Sequence, residues 1–84
     1  MNGMRVSCKI PLVKMNQSVV TVRRILREYG KRESVAFSKS SGLYYGCNGW
    51  VKDLSFADAL PLEEMHEKMK DSVDKSIVYL LVKF

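Results

Sequence analysis

Hydrophobic and polar residues are arranged along the chain in segments whose period is either two residues or about 3.6 residues. The segments are a period-two run over 5–15, a 3.6-period run over 18–29, two strand-like runs on either side of Gly42, a 3.6-period run over 61–73 and an apolar run over 76–84. Period two is typical of strands and period 3.6 of helices. The pattern therefore predicts the order strand, helix, strand, strand, helix, strand.

This βαββαβ order is that of the ferredoxin-like fold. We expect an α+β protein, a two-layer sandwich in which a four-stranded antiparallel sheet carries two helices on one face. In that arrangement the first and third strands are central neighbours, and the fourth and second strands lie at the edges. A chain of 84 residues suits one compact domain over 1–84, in which residues 1–4 could be disordered. Met4 could also be the natural start, which would leave Met1–Gly3 as an extension.

The first strand alternates strictly, which assigns its side chains to the two faces of the predicted sheet. Arg5 and Lys9 belong to the polar, open face, and Tyr44 of the third strand is expected beside them. The Gly-Cys-Asn-Gly stretch at 46–49 could introduce a bulge into the third strand. The face on which Trp50 lies therefore stays undecided.

The closing segment, residues 76–84, is apolar on both faces of the predicted strand. A two-layer domain packs only one sheet face against helices, so such a strand needs a cover for its second face. Three covers stay open: a second copy of the chain, a different partner, or the segment 53–60 folded back. A homodimer through the sheet face or the last strand is one of the expected assemblies.

A cluster of five cations accompanies the first predicted helix. The apolar stripe of that helix consists of Val19, Val22, Ile25, Leu26 and Tyr29. The opposite side and the residues that follow carry the cations, which we call the basic ridge: Arg23, Arg24, Arg27, Lys31 and Arg32. The helix dipole favours cations near the C-terminal end, but five cations exceed what it needs. A solvated helix face and a docking surface both stay open as interpretations.

The net charge of +5 is unevenly distributed along the chain. Residues 1–52 carry ten basic and two acidic side chains, a net charge of +8, whereas residues 53–84 carry four lysines and seven acidic side chains, a net charge of −3. A dipolar surface of this kind favours oriented docking on an acidic partner.

Several classes of protein are disfavoured by what the chain lacks. No apolar stretch is long enough to span a bilayer, and basic residues interrupt the N-terminal segment, so we expect an intracellular, cytoplasmic protein without a membrane partner. Cys8 and Cys47 are too few for a zinc site and are expected to be small buried hydrophobes. His66 borders the stripe of the second helix, with no second ligand spaced to join it. We expect no metal and no cofactor.

Catalysis is disfavoured for a similar reason. The chain has no glycine-rich phosphate loop with a lysine, no Cys-x-x-Cys after the first strand and no paired histidines. Serine, histidine and aspartate occur, but without a spacing that would activate a nucleophile. We predict that the protein is not an enzyme and that no residue is catalytic.

A small chain without a chemical motif is first interpreted as an interaction protein. We expect it to dock on an acidic or nucleic-acid-binding protein surface and to block or modulate a partner complex. The basic ridge would steer the approach, and the expected anchors are aromatic: Tyr44, Trp50 and Tyr79. Proteins of this size and type are common in phages and mobile elements, and inhibitors of the anti-CRISPR type, which act on nucleic-acid-handling machinery, are one expected class.

Direct nucleic-acid binding is the alternative function. Arginines would contact phosphates and an aromatic ring would stack on an unpaired base, with a candidate set of Arg5, Lys9, Arg23, Arg27 and Tyr44. RNA-recognition domains have the same strand order and stack bases on sheet aromatics. Of their third-strand signature, residues 42–48 keep only an aromatic residue before a glycine, so the likeness is one of fold alone.

Overall fold

A computed structural model describes residues 5–12, 15 and 19–83 of the chain. Within these residues the regular elements, in chain order, are β1 (Arg5–Pro11), α1 (Val19–Tyr29), β2 (Glu33–Ser38), β3 (Leu43–Gly46), β4 (Gly49–Val51), β5 (Leu60–Pro61), α2 (Leu62–Met69) and β6 (Ile77–Lys83). One turn of 3-10 helix, Leu54–Phe56, precedes β5. The expectations for residues 1–4 and for the cap of the first helix lie outside the described residues.

The strands form one antiparallel sheet in the order β1-β6-β2-β3-β4. β2 pairs with β6 along one of its edges and divides its other edge between two short strands. Glu33 and Ser34 pair with β5, whereas Phe37 and Ser38 pair with β3. The centre of the sheet is therefore the pair β6 and β2.

The α+β class, with two helices and an antiparallel sheet, is confirmed, but the four-stranded ferredoxin-like detail is not. The predicted pair of the first and third strands is not formed: β1 lies at one end of the strand order, β6 lies between β1 and β2, and the sheet has six strands. The composition of β6 gives the physical reason. Its residues 77–82 are each at most 7% exposed, and a strand that is apolar on both faces buries the most surface in a central position.

The core lies between one sheet face and the two helices. The sheet contributes Ile10, Ala36, Ile77, Tyr79 and Leu81, and α2 contributes Leu62, Met65 and Met69. The α1 stripe packs less deeply, because none of the eleven residues of α1 is fully buried. α1 is therefore a peripheral helix, and most of its surface is left for contacts outside the core.

The third predicted strand is in fact a hairpin of two strands, β3 and β4. Gly46 and Gly49 face each other across its turn, and Gly49 has φ 126°, a conformation that favours glycine. The two glycines mark a reversal of the chain and not a bulge. Cys47 is exposed in the turn, so the expectation that it is buried is wrong, whereas the side chain of Cys8 lies outside the described residues.

The second helix ends at Met69 and not at residue 73, and Val73 is 94% exposed. The segment that follows is attached to the sheet through the carboxylate of Asp74. Ser38 Oγ donates to Asp74 Oδ2 at 2.6 Å, and Ser76 Oγ donates to Asp74 Oδ1 at 2.6 Å. The backbone N–H of Ser76 also donates to Asp74 Oδ1, at 2.9 Å. These local bonds compete with continuation of the helix and direct the chain into β6.

Candidate functional site

The outward side of α1 is the most exposed feature that combines charge with apolar surface. We call it the α1 face and define it by Val19, Val20, Arg23, Arg24 and Arg27, all of which are exposed. Val19 and Val20 are 69% and 68% exposed. Because residues three and four apart are neighbours on a helix, Val20 adjoins Arg23 and Arg24, and both of these adjoin Arg27.

Helix stability does not account for the three arginines of the α1 face. Among the residues that the structure describes, none of the three forms an ion pair. The helix dipole favours Arg27, which lies in the last turn, but not Arg23 or Arg24 further back. Like charges one turn apart on a helix destabilise it by about 0.2 to 0.5 kcal/mol per pair. A ligand with negative charge would remove this repulsion.

Lys31 and Arg32 of the basic ridge have partners of their own. Lys31 Nζ lies 3.0 Å from Glu63 Oε1, in an ion pair open to solvent. Arg32 is half-buried, and its Nη2 donates to the Val82 carbonyl oxygen at 3.3 Å. The structure therefore divides the ridge into three outward arginines and two cations that link the end of α1 to neighbouring elements.

Carboxylates border the α1 face at its C-terminal end. Glu63 and Glu64 occupy the first turn of α2, which lies beside the end of α1 because the Glu63 N–H donates to the Gly30 carbonyl at 3.1 Å. Glu28 is exposed directly after Arg27. The three arginines thus cover little more than one helical turn, with valines at one end and carboxylates at the other.

The three aromatic residues predicted as anchors lie in three different environments. Tyr79 is completely buried in the core, so its ring is not on the surface. Tyr44 packs on Phe37 with ring centroids 4.8 Å apart, on the sheet face that points away from the helices. Trp50 is on the helix side, where it meets Tyr45 edge to face at 5.9 Å and is 40% exposed.

One exposed aromatic residue, Phe56, was missed at the sequence level. The pattern predicts that Phe56 packs against the edge of the domain, but its side chain is 72% exposed. The Phe56 carbonyl lies 3.2 Å from the position that a Cβ atom on Gly46 would occupy, so the 3-10 turn adjoins the β3–β4 hairpin. A glycine that allows close backbone approach was the available signal, although it could not show where the ring points.

The candidate nucleic-acid set is not gathered on one surface. Lys9 is exposed and alternates with the core residue Ile10, so it lies on the same sheet face as Tyr44. Arg23 and Arg27 lie on the outward side of α1, across the helix layer from that face. The side chain of Arg5 is outside the described residues.

The last strand does not offer the edge that a homodimer through it would need. β6 has β1 on one side and β2 on the other, and its residues 77–82 are buried. β1 lies at one end of the strand order, but its register shifts between Val6 and Cys8, and it carries exposed Lys9 and Pro11. Bulges, lysine and proline all discourage edge-to-edge pairing.

His66, predicted at the border of the α2 stripe, is a buried polar residue of the core. It is 9% exposed, and its Nδ1 lies 3.2 Å from the Tyr79 hydroxyl oxygen. Burial lowers the pKa of His66 below the ordinary value of 6.5, although Glu67 nearby acts in the opposite direction. In the described part of the chain, no group of three or more metal-binding side chains comes together.

The stability of the protein should decrease as the pH falls below about 6.5. The unfolded chain binds a proton on His66 at its ordinary pKa, whereas the folded chain binds it only at lower pH. The contribution of neutral His66 is therefore complete above that pH and is lost as the pH approaches the folded-state pKa. Urea unfolding of the wild type and His66→Asn at several pH values measures it. An unchanged pH dependence in His66→Asn would contradict this assignment.

Comparison of the chain with protein families, with curated proteins and with solved structures finds no match. Among the described residues, no helix combines the length and the apolar character needed to cross a membrane. The interpretation of function therefore depends on the surface geometry of the chain itself.

Proposed function

We propose that the protein is a small non-enzymatic interaction protein that docks on an acidic surface of a partner protein through its α1 face. One observation carries the proposal. Arg23, Arg24 and Arg27 stand side by side without ion pairs among the described residues, next to Val19 and Val20, which are more than two-thirds exposed. Arginine is enriched among the residues that contribute most to protein interfaces, and the adjacent valines add apolar area that docking can bury.

The limited extent of the positive surface favours a protein partner over nucleic acid. A phosphate backbone carries a charge every few ångströms and is bound by basic residues that follow its path. Here the cluster of outward arginines is confined to α1, and Glu28 and Glu63 border its end. Exposed valines also have no role in phosphate contact, whereas they add apolar area to a protein interface.

We further propose that docking acts by occlusion, so that the bound chain blocks or modulates the function of the partner complex. Because α1 lies at the periphery of the domain, it can cover a surface of the partner without any chemical step. Inhibitors of the anti-CRISPR type, encoded by phages and mobile elements and directed at nucleic-acid-handling machinery, fit this mode of action. A target of this kind would have to present an acidic surface to the arginine cluster, because a surface that binds nucleic acid is itself basic.

The test compares partner capture by three forms of the chain. The first is the wild type, and the second carries Arg23→Ser, Arg24→Ser and Arg27→Ser. The third is a charge-matched control in which three exposed lysines outside α1 become serine: Lys39, Lys52 and Lys68. Because the loss of charge is equal, a difference between the two variants reports the α1 face and not net charge.

We expect the wild type and the lysine control to retain a defined protein partner after nuclease treatment, and the arginine variant to lose it. Affinity capture with mass spectrometry measures this, with circular dichroism as the check that all three forms fold. Equal retention by both variants would exclude the α1 face. Loss of every partner on nuclease treatment, with binding that weakens steeply as salt increases, would favour the nucleic-acid alternative.

A further inference from the structure

We infer that the α1 face is built to receive a helix of the partner that carries aliphatic residues at one end and carboxylates one turn apart beyond them. This inference rests on the proposed function and adds the class of ligand. It concerns the same five residues, whose order along α1 is apolar first and cationic afterwards.

The spacing of the exposed residues supports a helical ligand. Val20, Arg23 and Arg27 follow one another at intervals of three and four residues, and Arg24 lies beside them. Rows of this spacing on one helix fit between the corresponding rows of a second helix. Glutamates three or four residues apart on the partner would then meet one arginine each, because the repeat distance of the two helices is the same.

The α1 helix also fixes how long the contact can be. Eleven residues correspond to about 16 Å, or three helical turns. Within that length the first turn, residues 19–22, has no basic residue and presents Val19 and Val20, so a negative ligand side chain has no cationic side chain to meet there, whereas an aliphatic one meets apolar surface. The positions of aliphatic and negative side chains along the ligand therefore follow from the order of valines and arginines along α1.

An exposed carboxylate at the far end of the α1 face determines which side chain of the ligand is favoured there. The carboxylate of Glu63 is already paired with Lys31, and a helix laid along α1 with its aliphatic end over Val20 would bring its last turn toward the exposed carboxylate of Glu28. A lysine there would be favoured and a further glutamate would be repelled. A uniformly acidic segment and a nucleic-acid backbone both lack this change of sign, so they fit the α1 face less well.

The arginine head groups add a requirement of geometry. Each guanidinium presents a planar fork that can bind a carboxylate through two parallel hydrogen bonds, which a lysine ammonium cannot do. Replacing all three arginines by lysine keeps the charge and removes the forks. Such a variant separates recognition of placed carboxylates from simple attraction between opposite charges.

The test uses two labelled synthetic peptides of about 18 residues and the full chain. In the patterned peptide, leucines occupy the first turn, glutamates follow at three- and four-residue intervals on one face, and a lysine lies in the last turn. The scrambled peptide has the same composition with the glutamates distributed around the helix. Fluorescence anisotropy gives the affinity of each peptide for the wild type, for the serine and lysine variants of the three arginines, and for Val20→Asn.

We expect the patterned peptide to bind at least about tenfold more tightly than the scrambled one. We also expect that this preference is reduced by the lysine variant and by Val20→Asn. Equal binding of both peptides, lost in the serine variant, would overturn the helical ligand while leaving the proposed function in place. Absence of binding to either peptide, in a chain that captures its protein partner through the arginines, would also overturn it. Preference for an oligonucleotide would overturn both proposals.

Discussion

Leu81→Ala should reduce the free energy of unfolding by about 2 to 5 kcal/mol. Leu81 is completely buried on the core face of β6, where its register partners are Cys8 of β1 and Ser34 of β2. Truncation there leaves a cavity in the middle of the sheet, where strands on both sides hinder relaxation of the site. Small domains are stable by roughly 5 to 15 kcal/mol, so this loss could approach the whole stability of the chain. Urea unfolding measured by circular dichroism gives the difference.

Val73→Ala is the matched control for this prediction. Val73 is apolar, like Leu81, but it is 94% exposed, and its replacement should change stability by no more than about 0.5 kcal/mol. A Leu81→Ala variant with nearly wild-type stability would mean that β6 is not central. Comparable losses in the two variants would mean that residue 73 belongs to a longer, packed second helix.

The sequence pattern predicts the positions of the main elements well, because periodicity depends on local burial. The first helix, the first two strands and the last strand lie where the pattern places them, within a few residues. Pairing between strands does not follow from periodicity. Whether the last strand lies at an edge of the sheet, as predicted, or between β1 and β2, as observed, depends on how much apolar surface each arrangement buries, and the apolar character of both faces of β6 was the signal for a central strand.

The hairpin and the end of α2 were harder to predict for a different reason. Gly46 and Gly49 are compatible with a bulge or with a turn, and only pairing across the turn distinguishes the two. The end of α2 depends on Asp74, whose partners are 36 residues away at Ser38 and 2 residues away at Ser76. A local hydrophobic pattern contains no information on contacts between residues so far apart in sequence. The pattern therefore predicts a helix that continues to Val73.

The candidate site was predicted in part. The three arginines of α1 lie together on its outward side, as helical spacing requires, because that relation is local. The aromatic residues depend on tertiary structure, and they separate into the core, the open sheet face and the hairpin. The prediction of Tyr79 as an anchor is wrong because a tyrosine in a central strand is a large core residue, whose hydroxyl here lies 3.2 Å from His66 Nδ1.

The outward side of α1 and the core are formed by different side chains, so binding and stability can be tested separately. α1 contributes only half-buried side chains to the core, so changes on its outward side should leave the sheet and α2 nearly unaffected. A variant that loses the partner but keeps its unfolding curve is therefore attainable for the α1 face. The same separation would not hold for a site built on β6, where every described side chain is buried.

Ser38→Ala should reduce the free energy of unfolding by about 1.5 to 3 kcal/mol, the usual range for a hydrogen bond to a charged group. Ser38 is 1% exposed, and its hydroxyl donates to Asp74 Oδ2 at 2.6 Å. Together with the bonds from Ser76 it lowers the pKa of Asp74 to about 2. Loss of this bond weakens the attachment of the 70–76 segment to the end of β2, where the hydroxyl of Ser40 also donates to Asp74 Oδ2, at 3.2 Å.

The effect of Ser38→Ala should itself depend on pH, and this gives the more specific measurement. Asp74 is ionised in the unfolded chain above its ordinary pKa of 3.8 and in the folded chain down to about 2. Its contribution is complete above the higher value and is lost as the pH falls through the lower one. The stability difference between the wild type and Ser38→Ala should therefore decrease over that interval. Ser41→Ala, an exposed serine in the same turn, should show neither the loss nor the pH dependence. A constant difference between pH 2 and pH 5 would mean that Ser38 stabilises the turn by packing and not through the Asp74 carboxylate.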